Sequence, residues 1–308
     1  MKKISVAMVT YNHEKYIEKA IESVLMQKGN FKLELLIGND KSPDRTAEIL
    51  KKYEDDNRVK IFNREKNMGA TKNGLDILLK CKGDYVAVLE GDDYWIIEDK
   101  LAKQLEILET RRDAVLCYTD SYTVDENNKI IGQKLVKRNC IENFDSLIAN
   151  RGEIPTGTIM YKNIFKDEKN IDNLKKLLTS SEMISDLSLF AAFIREGKFY
   201  RLNEFTGAYR YITNSTSYSS RSNLYKEKEL YKVFKGISEY YNLSGIKKYL
   251  FLERRRNRVL KEIKKENQSV EDILEELKLI DKIKIFIYKI IKPLDDLKES
   301  LNKKKYRV

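Results

Sequence analysis

The sequence predicts an α/β fold built on a largely parallel sheet, and three observations lead to this prediction. Short apolar stretches alternate with stretches whose apolar residues recur at helical spacing through residues 1–112. The run Tyr85–Leu89 is apolar throughout, as expected of a central strand that is covered on both faces. Polar loops at 10–12, 39–44 and 90–93 follow three of the strands. In open α/β sheets such loops converge above the carboxyl ends of the strands, so we expect a ligand site there.

The first 112 residues contain four strands, each followed by a helix. The predicted elements are strand 4–10, a helix with apolar residues between 16 and 25, strand 33–38, a helix from 43 to 53, strand 59–63, a helix from the Asn67-Met68-Gly69 loop to 80, strand 85–89 and a helix at about 98–112. Asn12 is the expected N-cap of the first helix. Ser42 is the expected N-cap of the second, because Pro43 follows it at the first helical position.

Beyond residue 112 the pattern is less regular. The predicted elements are strand 114–118, a hairpin turn at 125–128, a loop at 155–158 before strand 159–161, an apolar helix 187–194 opened by Asp186, and a pair of strands within 199–211. From about residue 219 the chain is predicted to be helical and basic. We therefore expect a first domain of residues 1–218 and a helical C-terminal region of residues 219–308.

Composition and charge limit the class of protein. The chain of 308 residues is 42% hydrophobic and 35% charged, as in soluble globular proteins. Three cysteines without a CxxC pair fit a reducing, cytoplasmic setting and argue against a zinc site. The first residues lack the long apolar segment of a signal peptide, and we find no apolar run of about 18 residues that would span a bilayer. We expect a cytoplasmic protein.

The net charge of +11 lies almost wholly in the C-terminal region, where residues 221–308 hold 24 Lys and Arg against 14 Asp and Glu. Within it, a helix over 282–292 would carry isoleucines and Phe286 on one face and lysines opposite. That pattern suits a helix lying on an anionic membrane surface, on the inner face of the cytoplasmic membrane. The alternatives are a basic face packed on the first domain, or nucleic-acid binding, which the strand-end motifs of the first domain disfavour.

Three carboxylates, Glu90, Asp92 and Asp93, follow the central strand directly. Like charges this close repel one another unless a cation lies among them, and a hard divalent ion prefers oxygen ligands. The alternative is an acidic turn that precedes the next helix. The first strand is followed by neither a GxGxxG nor a GxxxxGK[ST] motif, which disfavours a dinucleotide or P-loop site.

The first two thirds of the chain contain, in order, the motifs Val9-Thr10-Tyr11-Asn12, Asn39-Asp40-Lys41-Ser42-Pro43-Asp44, Asn67-Met68-Gly69, Leu89-Glu90-Gly91-Asp92-Asp93-Tyr94-Trp95, Ser185-Asp186-Leu187-Ser188-Leu189-Phe190 and Thr206-Gly207-Ala208-Tyr209-Arg210. By these motifs this part of the chain resembles the family 2 glycosyltransferases of GT-A fold, of the bacterial type that builds surface polysaccharides. Their order and spacing together are specific, although each alone is weak. The resemblance implies a Rossmann-like mixed sheet flanked by helices.

By this resemblance the nucleotide-sugar would be bound by Thr10, Tyr11, Asn12, Asp40, Asn67, Lys72, Glu90, Gly91 and Asp92. Tyr11 would stack on the base and Asp40 would accept a hydrogen bond from it. Asp92 would bind Mn²⁺ or Mg²⁺ on the diphosphate, with Asp93 as a second ligand or a structural neighbour. Lys72 stands where many relatives have Arg, and Ile212 where many have His.

Several residues of these motifs also have a plain structural alternative. Tyr11 could pack in the core, and Asp40 and Asp44 could serve the turn and the helix start. Asn67 could be a turn residue before Gly69, and the sole histidine, His13, is interpreted as a helix-start residue.

The resemblance implies an inverting transfer, in which the acceptor hydroxyl loses its proton as it attacks. We hypothesise that Asp186 is the general base, because no histidine follows residue 13 and a carboxylate must take the proton. The alternatives are that Asp186 is a simple N-cap, or that Glu182 is the base.

The sequence therefore favours a metal-dependent glycosyltransferase that moves a sugar from a nucleotide-sugar, UDP-linked by expectation, to a hydroxyl of a surface glycan or lipid-linked acceptor. The rival functions are a sugar-phosphate nucleotidyltransferase, which would need a basic Gly-rich loop after strand one, and a non-catalytic adaptor that binds membrane or nucleic acid. The sugar, the acceptor, the linkage and the oligomeric state are not determined by the sequence.

Overall fold

The computed structural model describes residues 1–137, 139–149, 154–166, 171–182, 186–212 and 221–265. The chain divides into two units, Met1–Arg221 and Ser222–Val308. The domain boundary predicted at 218/219 lies in 213–220, outside the described residues.

One mixed sheet forms the centre of the first unit. Its described strands are β1 (Lys2–Thr10), β2 (Phe31–Asn39), β3 (Val59–Asn63), β4 (Tyr85–Glu90), β5 (Tyr94–Trp95), β6 (Ala114–Val124), β7 (Ile130–Lys134), β8 (Cys140–Ile141), β9 (Met160–Lys162) and β10 (Lys198–Arg210). The order across the sheet is β3-β2-β1-β4-β9-β6-β10-β5, with β7 paired to β6 and β8 to β10. Strands β3, β2, β1 and β4 are parallel, whereas β9 runs antiparallel to both β4 and β6.

Four helices of residues 1–112 cover the sheet because its central strands are apolar on both faces. They are α1 (Ile17–Leu25), α2 (Thr46–Leu50), α3 (Ala70–Lys80) and α4 (Lys100–Thr110). Alternate residues of β1, Ile4, Val6 and Met8, join apolar residues of α1, α2 and α4 in one buried cluster. Helix α3 lies close to Gly38 of β2, where a Cβ atom would come within 2.7 Å of Ile77. The α/β prediction is confirmed, and a βα alternation of this kind directs the ends of β1, β2 and β4 to one edge.

The second half of the sheet carries the remaining described helices of the unit, α5 (Phe144–Ala149), α6 (Ile171–Leu178) and α7 (Asp186–Phe193). Strands β6 and β7 form a hairpin around the predicted turn at 125–128. Helix α7 is almost completely buried beyond its first turn, as its apolar sequence requires. Strand β10 is parallel to β6 and ends beside β5.

Three local predictions were wrong. Helix α1 begins at Ile17, and Asn12 is not its N-cap, because residues 13–16 form a turn in which the His13 carbonyl accepts hydrogen bonds from Tyr16 and Ile17. Helix α2 begins at Thr46 rather than at Pro43, and the Ser42 hydroxyl instead accepts the Asn12 N–H. Residues 198–210 form one long strand rather than a pair, with register shifts that interrupt its pairing.

The described helices of the second unit are α8 (Asn223–Tyr240) and α9 (Gly245–Lys265). The Ser222 hydroxyl accepts the Tyr225 N–H and so caps α8. Phe234 of α8 stacks on Phe251 of α9, which joins the two helices. The helix predicted over 282–292 lies outside the described residues. Within residues 1–265, no described helix has the length and apolar character needed to cross a membrane.

Candidate active site

The end of β4 places its carboxylates at the centre of the sheet. Gly91 follows β4 and donates its N–H to the Val9 carbonyl of β1 at 2.9 Å. A Cβ atom at Gly91 would lie 2.7 Å from the Thr10 hydroxyl oxygen, so only glycine allows the two loops to approach this closely. The chain therefore presents Glu90, Asp92 and Asp93 directly beside the end of β1.

Asp93 is directed inwards and connects distant parts of the sheet. Only 5% of the residue is exposed, and its Oδ1 accepts the backbone N–H of Arg210 at 2.7 Å. Burial raises the pKa of the Asp93 carboxyl well above its usual range, and the charges of Asp92 and Glu90 raise it further. This carboxyl therefore holds its proton over a wider pH range than an exposed aspartate.

The Arg210 side chain lies beneath the same edge and holds two loops together. Its Nε donates to the Asp92 carbonyl at 2.8 Å, while Nη1 donates to the Asp125 carbonyl at 2.8 Å and Nη2 to Asn128 Oδ1 at 2.9 Å. The guanidinium also lies 4.3 Å from the centre of the Tyr16 ring. Arg210 thereby fixes the acidic loop against the β6–β7 hairpin, with donors in three directions.

Asp92 faces outwards, in contrast to Asp93. Its side chain is 21% exposed, and its Oδ2 lies 3.8 Å from His13 Nε2. The other ring nitrogen of His13 is 3.2 Å from the Thr10 hydroxyl. Asp92, His13 and Thr10 thus form a continuous polar line from β4 to β1, with the carboxylate accessible to a ligand.

Asp40 is bound by the Asn67-Met68-Gly69 loop. It is 3% exposed, and its backbone N–H donates to the Thr10 carbonyl at 3.0 Å. Its Oδ1 accepts the Met68 N–H at 2.7 Å and its Oδ2 the Gly69 N–H at 2.8 Å. The carboxylate therefore holds the Asn67-Met68-Gly69 loop at the start of α3, and any bond to a base would use its remaining lone pairs.

The other predicted nucleotide-binding residues lie around this pocket. Tyr11 is 41% exposed rather than packed in the core. Asn12 has a φ of 61° and donates its N–H to the Ser42 hydroxyl. Asn67 is exposed and bonds through Oδ1 to the Gly69 N–H, and Lys72 is exposed in the first turn of α3. Their predicted contacts with a ligand stay predictions.

Asp186 opens α7 and lies close enough to the acidic loop for its charge to act on Glu90. Its Oδ1 accepts the Leu187 N–H at 2.7 Å, as at many helix starts. Burial raises the pKa of the Asp186 carboxyl, and the charge of Asp186 in turn helps to raise that of Glu90. Burial is the main cause of the pKa of about 7 at Glu90, with Asp92 as the second cause. Asp186 and Glu90 therefore share one electrostatic environment. The alternative base, Glu182, is exposed, and its carbonyl accepts the Thr71 hydroxyl.

The described residues contain no group of three or more His, Cys, Asp and Glu side chains arranged to hold a metal ion. Magnesium is commonly bound by one or two carboxylates together with substrate phosphates, so a preformed cage is not required. The accessible carboxylate oxygens of Asp92 are suitable ligands for such an ion. Asp93 fits it less well, because one of its oxygens is taken by the Arg210 N–H.

Three residues of the site were missed by the sequence analysis. Arg210 was only part of a motif, His13 was interpreted as a helix-start residue, and Lys134 on β7 was not considered. The sequence signal that could have identified Arg210 is its position at the end of a predicted strand. No sequence signal identifies Lys134, because it reaches the site through the pairing of β7 with β6.

Comparison with known proteins gives the family. The family model described as "Glycosyl transferase family 2" matches residues 5–168. The putative teichuronic acid biosynthesis glycosyltransferase TuaG of Bacillus subtilis is 31% identical over 216 residues, which cover 70% of this chain and 81% of TuaG. An uncharacterised protein of Mycobacterium tuberculosis is 33% identical over 118 residues, and the match spans 37% of this chain and about a third (34%) of that relative.

The fold is also shared with a solved structure. TarS residues 1–349 of S. aureus, crystallised in complex with UDP, superpose with a TM-score of 0.59 at 21% identity, covering 83% of this chain and 71% of TarS 1–349. At this identity the likeness shows the fold alone. The family model spans more than half of the chain, and its match includes the β1, β2 and β4 loops described above. The chain belongs to glycosyl transferase family 2.

Proposed function

We propose that this protein is a metal-dependent, inverting glycosyltransferase that moves a sugar from a nucleotide-sugar, UDP-linked, to a hydroxyl of a surface glycan or lipid-linked acceptor. The observation that carries the proposal is the presence of two carboxylates at the site. An accessible carboxylate, Asp92, lies beside His13 and the end of β1, while a second carboxylate, Asp186, opens a buried helix and acts by its charge on Glu90 of the same acidic loop. A donor between them would have its leaving group at Asp92 and its reacting carbon towards Asp186.

The nucleotide side is supported by an exposed aromatic ring beside a buried acceptor. Tyr11 offers its face to a planar base, and Asp40 lies in the adjoining loop. The bound UDP in the TarS crystal supports a uridine nucleotide as the first donor to test.

The diphosphate side is assigned to Asp92. A divalent ion held there would neutralise the charge that develops on the leaving diphosphate. His13 contacts the same carboxylate and Arg210 holds the backbone carbonyl of Asp92, so both residues orient it. Glu90 is half-buried in the same loop and would lie near the ribose or the metal.

Asp186 is assigned as the base that accepts the proton of the attacking hydroxyl. Its raised pKa favours proton uptake during the attack, because a carboxylate in a buried, acidic environment is a stronger base than an exposed one. The bond from Leu187 holds the carboxylate in one orientation.

The acceptor class rests on the relatives. TuaG is named for teichuronic acid biosynthesis, which supports a surface polysaccharide as the product. A nucleotidyltransferase is disfavoured, because β1 is followed by Thr10, Tyr11 and Asn12 instead of a basic Gly-rich loop. A purely adaptor function would not require the buried carboxylates.

The test is a screen of nucleotides and nucleotide-sugars for thermal stabilisation of the full chain with Mn²⁺ present. A ligand held at a hundred times its Kd should add roughly 2.7 kcal/mol to the free energy of unfolding. Asp92→Asn should keep the fold and lose the Mn²⁺-dependent part of UDP binding by calorimetry. Asp99→Asn, at the N-cap position of α4 with its side chain about half exposed, is the control and should bind UDP as the wild type does. No stabilisation by any nucleotide, or unchanged Mn²⁺ dependence in Asp92→Asn, would contradict the proposal.

A further inference from the structure

Lys100, at the first position of α4, is a lysine without access to solvent. The residue is 0% exposed. Its ammonium donates to Gln104 Oε1 at 2.7 Å and lies 4.1 Å from the centre of the Trp95 ring. Among the residues that the structure describes, no carboxylate pairs with it. A lysine is almost never buried to this extent without such a partner, because a buried charge costs stability.

Both side chains that contact Lys100 hold carbonyl groups of one short turn. Trp95 Nε1 donates to the Gly157 carbonyl at 2.7 Å. Gln104 Nε2 donates to the Thr158 carbonyl at 2.9 Å. An ammonium can only donate, so Lys100 takes the amide oxygen of Gln104 and leaves the NH₂ group for the carbonyl. One buried cation therefore contacts the donors of two consecutive carbonyls.

The two carbonyls belong to the helical turn Thr156–Thr158, which borders the acidic loop. A Cβ atom at Gly157 would lie 3.5 Å from Asp93 Oδ2. The other oxygen of Asp93 accepts the Arg210 N–H. Asp93 is therefore enclosed by Arg210 at one oxygen and by the turn at the other. The turn thereby limits where Asp93, and with it the neighbouring Asp92, can lie.

We propose that Lys100 is a positioning residue of the candidate active site. Through the two side chains that it contacts, it holds the 156–158 turn against Asp93 and so keeps Asp92 in place for the divalent ion and the diphosphate. This inference rests on the proposed function, because it takes Asp92 to bind that ion. Lys100 has no exposed surface, so it acts only through its neighbours.

A positioning role and a stabilising role differ in what removal of the cation does. Replacing buried charges by apolar side chains of similar size is often neutral or stabilising, because the charge no longer has to leave water. Lys100→Met should therefore unfold at the wild-type temperature or above it. The same variant should hold the 156–158 turn less firmly.

The first measurement is hydrogen exchange of the free full chain. The Thr158 and Ile159 amides each donate to the carbonyl three residues earlier, within the turn, so their exchange reports how firmly it is held. Both amides should exchange at least about fivefold faster in Lys100→Met. Gln104→Glu keeps an acceptor for Lys100 but loses the NH₂ donor, so it should also speed exchange at these amides.

The second measurement is calorimetry of UDP binding with and without Mn²⁺. Lys100→Met should lose about fivefold or more in affinity with Mn²⁺, the factor that one ordinary hydrogen bond gives, and keep the metal-free Kd within about twofold. The 156–158 turn borders the acidic loop, so the part of binding that uses the ion should fall. Lys103→Met, on the same helix with its ammonium paired to Asp99 and Glu204, is the control and should match the wild type in both measurements.

The outcomes separate this inference from the proposed function. If UDP does not bind the wild type, or binds equally well without Mn²⁺, the proposed function fails, and hydrogen exchange alone decides whether Lys100 holds the turn. If the wild type shows Mn²⁺-dependent binding but Lys100→Met keeps the wild-type exchange rates or the wild-type affinity with Mn²⁺, this inference alone is overturned. A Lys100→Met protein that unfolds well below the wild-type temperature, with both Kd values weakened, would make the lysine a structural residue and also overturn it.

Discussion

The carboxylate of Asp93 accepts the backbone N–H of Arg210 at 2.7 Å, which joins residues 117 positions apart. The same arginine returns the contact by donating from its side chain to the Asp92 carbonyl. The acidic loop after β4 is therefore held by the end of β10 from two sides. This leaves Asp92 as the carboxylate of the Asp92-Asp93 pair that faces a ligand.

The first prediction concerns the guanidinium of Arg210. Arg210→Lys should lower the free energy of unfolding by about 1–3 kcal/mol, because one ammonium cannot replace three differently directed donors and leaves partly buried carbonyls unpaired. Urea unfolding followed by circular dichroism measures the change. Arg45→Lys, at an exposed pair with Glu14, is the control and should cost less than about 1 kcal/mol. Equal unfolding midpoints for wild type and Arg210→Lys would show that the arginine does not hold the loop.

The second prediction concerns the loop held by Asp40. In Asp40→Asn, only one oxygen remains to accept from Met68 and Gly69, and the new NH₂ group meets an N–H donor. We expect a loss of about 1–3 kcal/mol in stability and weaker UDP binding. Hydrogen exchange at Met68 and Gly69 should become faster. Unchanged exchange at these two amides together with weaker UDP binding would instead assign Asp40 to the base itself.

The third prediction concerns pH. The pKa of Glu90 is about 7 in the folded protein, above the ordinary value of 4.5. Between pH 4.5 and 7 the folded state therefore keeps a proton on Glu90 that the unfolded state has released. The stability that this group contributes is lost as the pH rises from about 4.5 through 7. Glu90→Gln should remove roughly 1–3 kcal/mol of this decline. The pKa values of Asp93 and Asp186 are also raised, so the variant should keep part of the decline in stability.

Thermal unfolding at pH 5, 6, 7 and 8 measures this slope. Glu106→Gln, at an exposed position of α4, serves as the control and should keep the wild-type slope. A Glu90→Gln variant that loses stability with pH as steeply as the wild type would place the cause elsewhere.

Local patterns allowed much of the fold to be predicted. Strand β3 has the predicted bounds 59–63, and α3 begins after the predicted Gly69, because strand alternation and a loop glycine are local signals. The start of α1 was misplaced because Asn12 is a good cap residue, yet tertiary contacts with Ser42 hold it in a left-handed turn.

The site could be predicted only where its residues follow strands directly. The loops at Thr10, Asp40 and Asp92 were predicted to converge because parallel strands direct them to one edge. The roles of Arg210 and Lys134 depend on β10 and β7 pairing with β6, and the register of that pairing is not visible in either segment alone. The position of the Lys134 ammonium over the Tyr209 ring likewise becomes evident only in three dimensions.

The central claim is that Asp186 takes a proton in a sugar-transfer reaction, and the fourth prediction tests it. The measurement is UDP release from the donor identified by the binding screen, with Mn²⁺ present and water as the acceptor hydroxyl, in wild type and Asp186→Asn. Asparagine accepts the Leu187 N–H and caps the helix about as well, but it cannot take the proton. We expect the Kd of the donor to stay within about twofold and UDP release to fall roughly 10²–10⁴-fold. UDP release by Asp186→Asn at a near-normal rate would contradict the account and leave Asp186 as a helix cap.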